Sequence, residues 1–186
     1  MDEHFVPIMA GLWLAWVVSW HVAALWTSGK RTEAPRREYR LHFAIAIAGF
    51  FLVFWTRAPT RALWPASEAF GWAMVGLTAA GFAFAWWARI HLGKLWSGGV
   101  VLRDAHRVVD SGPYALVRHP IYTGLFAAVI AMALVRATPL ALVGAALFVL
   151  GFTLKARVEE RFLEAELPDY AHYRRRVGMI VPWLGR

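Results

Sequence analysis

The sequence predicts an all-α integral membrane protein with about five transmembrane helices, and three observations carry that prediction. Apolar residues make up 59% of the 186 positions and mean hydropathy is +0.47, more than a soluble domain needs to fill its core. Five apolar runs, about residues 5–26, 41–56, 70–88, 121–135 and 140–158, are separated by polar connections. The cations are unevenly placed: five Lys/Arg in Ser28–Arg40, five in Arg89–His119 and seven from Lys155 onward, against Arg57, Arg61 and Arg136 elsewhere. Five alternating spans put all three basic segments on one side, which the positive-inside rule makes cytoplasmic. The expected topology is a multi-pass protein of the inner membrane with its amino terminus outside and its carboxyl terminus in the cytoplasm. Residues 1–186 read as one membrane domain, with a loop over 89–120 and an amphipathic tail over 159–186.

Phe5 to Trp26 carries one ionisable group, His21. At 1.5 Å per residue it reaches about 33 Å, enough for a hydrocarbon core of ~30 Å. The start, Met-Asp-Glu-His, lacks the basic opening of a signal peptide, so this run is expected to be a retained helix. Ser28 to Arg40 reads as a basic loop. The second run, Leu41 to Trp55, is shorter, with Tyr39, Arg40 and Arg57 expected at its interfaces. Pro59 and Pro65 mark the connection Ala58–Ser67. The third span ends on Trp86-Trp87 and Arg89, as a helix meeting headgroups should.

The fourth and fifth runs are joined only by Arg136-Ala-Thr-Pro139, which makes them an antiparallel hairpin. Gly124/Ala128, Ala127/Ala131 and Gly144/Gly151 each put small residues on one helical face, where helices can approach closely. No helix breaker follows until Pro168, so the fifth helix is expected to continue to about Glu166.

Between the third and fourth runs lies His106–Gly124, HRVVDSGPYALVRHPIYTG. So many charged and turn-forming residues cannot face lipid; the segment must lie at a membrane surface or line a water-accessible cavity. A second polar concentration, RVEERFLEAELPDYAHYRRR, starts at Arg157. At 100° per residue Leu154, Val158, Phe162 and Ala165 share a face, Glu159 borders it, and Glu160 and Glu164 fall on the charged side near Arg157 and Arg161. Alone, this is an amphipathic surface helix with ion pairs of about 0.2–0.5 kcal/mol each. Tyr170, Tyr173 and Arg174–Arg176 alone read as an anchor for anionic lipid.

Some chemistries are excluded or disfavoured. The absence of Cys removes disulfides, thiolate metal sites and a Cys nucleophile. A metal set of His106, His119, Glu159 and Glu160 lacks a helical pair such as HExxH, and no metal is expected. The net charge of +8 sits beside apolar runs, which favours a membrane surface over nucleic acid as partner. A transporter or assembly factor would place ionisable residues inside its spans, and here, with the apolar part of the fifth run taken as Leu140–Leu154, the spans are nearly clean, with only His21 and His42.

Together, SGPYALVRHPIYTG, a helical hairpin, VEERFL and YAHYRRRV resemble the isoprenylcysteine carboxyl methyltransferase family. The pattern RHPxY, an apolar stretch and then EE is matched by Arg118, His119, Pro120, Tyr122, Glu159 and Glu160. His106, Gly112-Pro113-Tyr114, Tyr170, Tyr173, Arg176-Val177 and Pro182 match as well. The resemblance covers about residues 90–186; Phe5–Ala88 match as generic spans.

That resemblance implies an S-adenosylmethionine-dependent methyltransferase, with S-adenosylhomocysteine as product. It implies a cofactor pocket at the cytoplasmic face, formed by the loop and the last helix, and a lipophilic acceptor arriving from the bilayer. Eukaryotic members methylate the carboxylate of a prenylated C-terminal cysteine, so an isoprenylcysteine-like carboxylate is the expected acceptor; a small thiol or a phospholipid is the alternative. Arg118, His119, Tyr122 and Arg176 are the implied catalytic set. His106, Tyr114, His119, Pro120, Tyr122, Glu159 and Glu160 are the implied cofactor-binding set.

Side-chain chemistry is compatible with those assignments. Glu159 or Glu160 can pair with the cofactor's amino group; Arg118, His119 or Arg176 can hold its carboxylate. Tyr114 and Tyr122 can offer a ring face to the adenine or the sulfonium. A carboxylate acceptor needs no general base, whereas a thiol would call on His106 or His119. The other enzyme class, an NADPH-dependent sterol-type membrane reductase, fits less well, because adjacent glutamates would repel a 2′-phosphate.

Overall fold

The computed structural model describes residues 4–25, 30–33, 36–54, 62–96, 101–103 and 108–184. His106 and much of the Ala58–Ser67 connection lie outside the described residues. Helices dominate. In order they are α1 (Phe5–Ala24), α2 (Arg36–Phe54), α3 (Glu68–Leu92, continued by a 3-10 turn Gly93–Leu95), α4 (Pro113–Leu116), α5 (Pro120–Arg136), α6 (Pro139–Glu166) and α7 (Tyr170–Arg176). The helical class is as expected, and one short feature is added to it. β1 (Lys30–Glu33) and β2 (Val101–Arg103) form an antiparallel ribbon, pairing two segments expected to be loops.

Helix starts follow local chemistry. Ser67 and Thr138 cap α3 and α6 by accepting from Phe70 N and Ala141 N, each at 3.2 Å. Prolines open α4, α5 and α6, where a missing amide donor costs nothing. Ala137 takes a left-handed conformation (φ 47°) and reverses the chain between α5 and α6. Leu63 N donates to its carbonyl at 2.7 Å, which ties the approach to α3 to this turn.

Among the described residues, three segments are long and apolar enough to cross a membrane: Phe5–Ala24, Glu68–Leu95 and Pro139–Glu166. Arg40–Phe54 and Pro120–Arg136 are apolar but shorter. α2 packs on α6 and α3 on α5, with α1 against α3 and α5. Glycines set both close crossings. A Cβ on Gly124 would overlap the carbonyl of Gly81 in α3, and Gly144 and Gly151 face the α2 backbone at Gly49 and Ala46. Trp13 of α1 is central, edge-on to Phe82 of α3 at 4.9 Å and to Phe50 of α2 at 5.1 Å.

Arg89 corrects an expectation. It does not reach a headgroup but is buried, with only 1% of its surface exposed. Its Nη atoms donate to the carbonyls of Gly93 and Ala23, each at 2.8 Å, and its guanidinium lies 4.4 Å from the Trp96 ring centre. It therefore adds a side-chain donor to a carbonyl in the last turn of α1.

The tail is part of the fold. Val117 and Gly178 form a parallel bridge, Arg118 N donates to Gly178 O at 2.8 Å, and His119 N donates to Met179 O at 3.0 Å. Thr123 Oγ1 adds a bond to Ile180 O at 2.7 Å. Tyr170 and Tyr173 are buried with Val177, packed by Val108, Leu163 and Leu167. These two tyrosines face protein, not lipid headgroups as the anchor reading required.

Candidate active site

α5 begins directly after Arg118-His119, so the helix start fixes those two side chains and puts Tyr122 in the first turn. α6 runs antiparallel beside it and brings Lys155, Glu159 and Glu160 to the same end of the bundle. Extension of α6 through Glu166 is what makes this possible, because the glutamates lie nearly six turns beyond its start.

The adjacent glutamates have different partners. Glu160 receives Arg118 Nε at 2.6 Å and Arg118 Nη2 at 3.1 Å, and His119 Nε2 lies 3.2 Å from its Oε1. Arg118 Nη1 donates to the carbonyl of Arg174 at 2.9 Å and to that of Val177. Glu159 receives the Tyr122 hydroxyl, 2.8 and 2.9 Å from its two oxygens, and the Lys155 ammonium. Lys155 also donates to the Tyr122 hydroxyl at 2.6 Å. His119 joins the two sets: its Nδ1 lies 3.6 Å from Glu159, and its ring stacks on Tyr122 at 5.3 Å, 3° from parallel.

These groups border one cavity of about 680 Å³. Arg118, His119, Tyr122, Lys155 and Glu159 form its polar end. Aromatic rings, among them Trp16, Phe50, Phe148 and Phe152, line the apolar remainder between α1, α2 and α6. Tyr114 also lines the cavity, and its carbonyl accepts from the Tyr173 hydroxyl at 2.7 Å. Burial pushes both phenols well above their ordinary range, so both stay protonated hydrogen-bond donors at neutral pH.

The cavity thus gathers Tyr114, Arg118, His119, Pro120, Tyr122 and Glu159 from the sequence-predicted set. Glu160 stands behind Arg118. Its placement on a solvated charged side is overturned, since it is 4% exposed whereas Arg157 and Arg161 are exposed. Arg176 is at the surface, paired with Asp110 at 2.9 Å. His106 lies outside the described residues.

Lys155 went unnoticed in the sequence because it reads as the first cation of a basic tail. The available signal was spacing: Phe148, Phe152, Lys155 and Glu159 recur at four, three and four residues, one face of a helix, and all four line the cavity.

A sequence model of the isoprenylcysteine carboxyl methyltransferase family matches residues 74–165, from within α3 through Glu159 and Glu160. Among known proteins, the chain is 33% identical over 95 residues to the cobalt-zinc-cadmium resistance protein CzcN of Cupriavidus metallidurans, covering 50% of this chain and 44% of that protein. It is 30% identical over 95 residues to the nickel-cobalt-cadmium resistance protein NccN of Alcaligenes xylosoxydans xylosoxydans, covering 50% and 45%. It is 38% identical over 82 residues to the protein-S-isoprenylcysteine O-methyltransferase of Saccharomyces cerevisiae, covering 42% and 34%. The chain therefore spans less than half the length of these relatives. The matched region holds both halves of the buried site, Arg118-His119-Pro120 with Tyr122 on one helix and the glutamate pair on the next, and the chain belongs to the isoprenylcysteine carboxyl methyltransferase family.

Proposed function

We propose that this protein is an S-adenosylmethionine-dependent methyltransferase for a lipophilic acceptor, with the carboxylate of an isoprenylcysteine-like molecule as the acceptor best supported. The observation that carries this reading is that one cavity has both a charged end and an aromatic apolar end. Its volume falls within the ~300–1,000 Å³ of small-molecule sites, and the two ends suit a polar cofactor and an apolar chain.

The residues present fit the cofactor. Glu159 lines the cavity with its carboxylate and suits an ammonium group. The Tyr122 ring already has a cation near it, with Lys155 Nζ 5.3 Å from its centre, so it tolerates positive charge such as a sulfonium. Tyr114 offers a second ring face beside the same space. When bound, S-adenosylmethionine supplies an electrophilic methyl group, which an acceptor oxygen takes as the carbon–sulfur bond breaks with its electron pair to sulfur.

The protein's own part is placement. Arg118 and Glu160 hold the start of α5 against α6, and His119 stacks on Tyr122 to fix its ring. The buried surroundings exclude water, and alignment of the nucleophile with the methyl group carries most of the rate. A carboxylate acceptor needs no base; a thiol would use His119, whose ring nitrogens otherwise face the two glutamates.

The membrane arrangement belongs to the same reading. The two shorter apolar helices complete five spans, the amino terminus is outside, and the cavity opens near the cytoplasmic face of the inner membrane. An acceptor would then arrive from the bilayer past the exposed Phe43 and Phe51, which line the apolar end.

The test is ligand stabilisation of the detergent-solubilised protein. S-adenosylhomocysteine should raise the melting temperature, because a ligand selective for the folded state stabilises it by mass action, and NADPH should not. A shift with NADPH alone would transfer the protein to the reductase class. Labelled S-adenosylmethionine with a total membrane lipid extract would then identify the acceptor.

A further inference from the structure

Lys155 stands where the cavity changes character. Along one face of α6 the lining runs Phe148, Phe152, Lys155, Glu159, that is, two aromatic rings, a cation and an anion. Lys155 is 4% exposed, and the groups that hold it, the Tyr122 hydroxyl and the Glu159 carboxylate, line the same cavity. A buried lysine in an apolar bundle is costly unless paired, and such groups mark function more often than packing. Arg118 differs: its guanidinium is fixed to Glu160 and to two tail carbonyls. Lys155 ends a flexible stem and is held by side chains alone.

A charge balance sharpens the contrast. At the polar end Arg118 offsets Glu160, and Lys155 offsets Glu159. The cofactor of the proposed reaction carries two positive charges and one negative. If its ammonium engages Glu159, Lys155 loses that partner inside a desolvated cavity. A neutral acceptor leaves the cation uncompensated, an amine adds to the imbalance, and an anion removes it.

We propose that Lys155 is the acceptor-binding residue, exchanging Glu159 for the anionic head of an acceptor whose apolar chain lies along Phe152 and Phe148. This rests on the methyltransferase reading and deepens it: the acceptor is an anionic amphiphile, carboxylate or thiolate, and not an amine. During transfer the acceptor gains the methyl group at oxygen or sulfur while the sulfonium's carbon–sulfur bond breaks with its electron pair to sulfur. The acceptor passes from anion to neutral ester or thioether. Lys155 then has no counter-ion on the product and returns to Glu159, which favours product release.

The experiment measures binding to the full chain saturated with S-adenosylhomocysteine. The probes are N-acetyl-S-farnesylcysteine and its neutral amide, and 4-dodecylbenzenethiol, which is largely a thiolate at mildly alkaline pH, and its methyl sulfide. Wild type should prefer one anionic probe over its neutral partner by about tenfold or more, and the pair that shows it identifies the head group. Lys155→Met should erase that preference, leave the neutral probe's affinity unchanged and bind S-adenosylhomocysteine no more weakly, whereas Lys155→Arg should retain the preference. Lys155→Gln, which keeps a donor for Tyr122, serves the same test if the Met variant does not fold. A preference that survives loss of the charge, a uniform loss for every probe, or no preference in wild type overturns the proposal. If wild type does not bind S-adenosylhomocysteine, the methyltransferase reading fails and takes this proposal with it. If it does bind, those three results count against Lys155 alone.

Discussion

Arg118 and Glu160 meet as two forks, Nε to Oε1 at 2.6 Å and Nη2 to Oε2 at 3.1 Å, with side chains 1% and 5% exposed. Because Arg118 also donates to the carbonyls of Arg174 and Val177, one cation joins the start of α5, the C-terminal part of α6 and the end of α7. Removing one partner strands a buried charge. Arg118→Met should cost about 3–5 kcal/mol, and Arg118→Met/Glu160→Met should cost clearly less than the two single changes added together. Melting of the four proteins in detergent measures this; additive losses would mean that the pair is not coupled.

The two glutamates should separate by readout. Glu159→Gln keeps shape but loses the charge-assisted bond to an ammonium, so S-adenosylhomocysteine should bind about 1.5–3 kcal/mol more weakly, roughly 10- to 150-fold. Glu160→Gln should act mainly on stability, through Arg118. Calorimetry and melting on both variants decide the matter. Wild-type affinity in Glu159→Gln would remove that residue from the cofactor's surroundings.

Helix crossings supply a test independent of chemistry. Gly124→Val should lower stability by about 1–3 kcal/mol or prevent folding, because its side chain would meet the Gly81 backbone. Gly76→Ala, on the same α3 but with nothing within 4 Å of the added carbon, should stabilise by about 0.5–1 kcal/mol. Equal effects at the two sites would contradict the α3–α5 packing.

Topology can be read chemically. The chain has no Cys, so single cysteines introduced at Glu33 and Arg136 give labelling without background. A membrane-impermeant maleimide should reach them from opposite sides, Glu33 from the cytoplasm. Labelling from one side would rule out the five-span arrangement.

Much of the scaffold was legible in the sequence. The α5–α6 hairpin, its two-residue turn and the extension of α6 to Glu166 follow from apolar runs, Pro139 and the absence of a breaker before Pro168. The motif residues of residues 114–122 and Glu159 do converge on one cavity. What local pattern could not reveal was who pairs with whom across the bundle. Helical geometry puts Glu160 on the charged side near Arg157 and Arg161, yet its partner Arg118 is 42 positions away. Arg89 closes an apolar span and Lys155 opens a basic tail, and neither position signals the burial that the bundle imposes on it. The clip between 117–119 and 178–180 is mostly main chain to main chain, and such bonds leave no side-chain signature.

That clip has a consequence for biosynthesis. Residues 178–180 leave the ribosome after α1 to α6, and they bond the backbone on which Arg118 and His119 stand. Helices α1 to α6 can enter the membrane and pair while translation continues. The polar end of the cavity is finished only when the tail emerges and docks. A nascent chain stalled before Val177 should therefore be inserted but unable to retain ligand, so ligand competence comes after insertion of the helices.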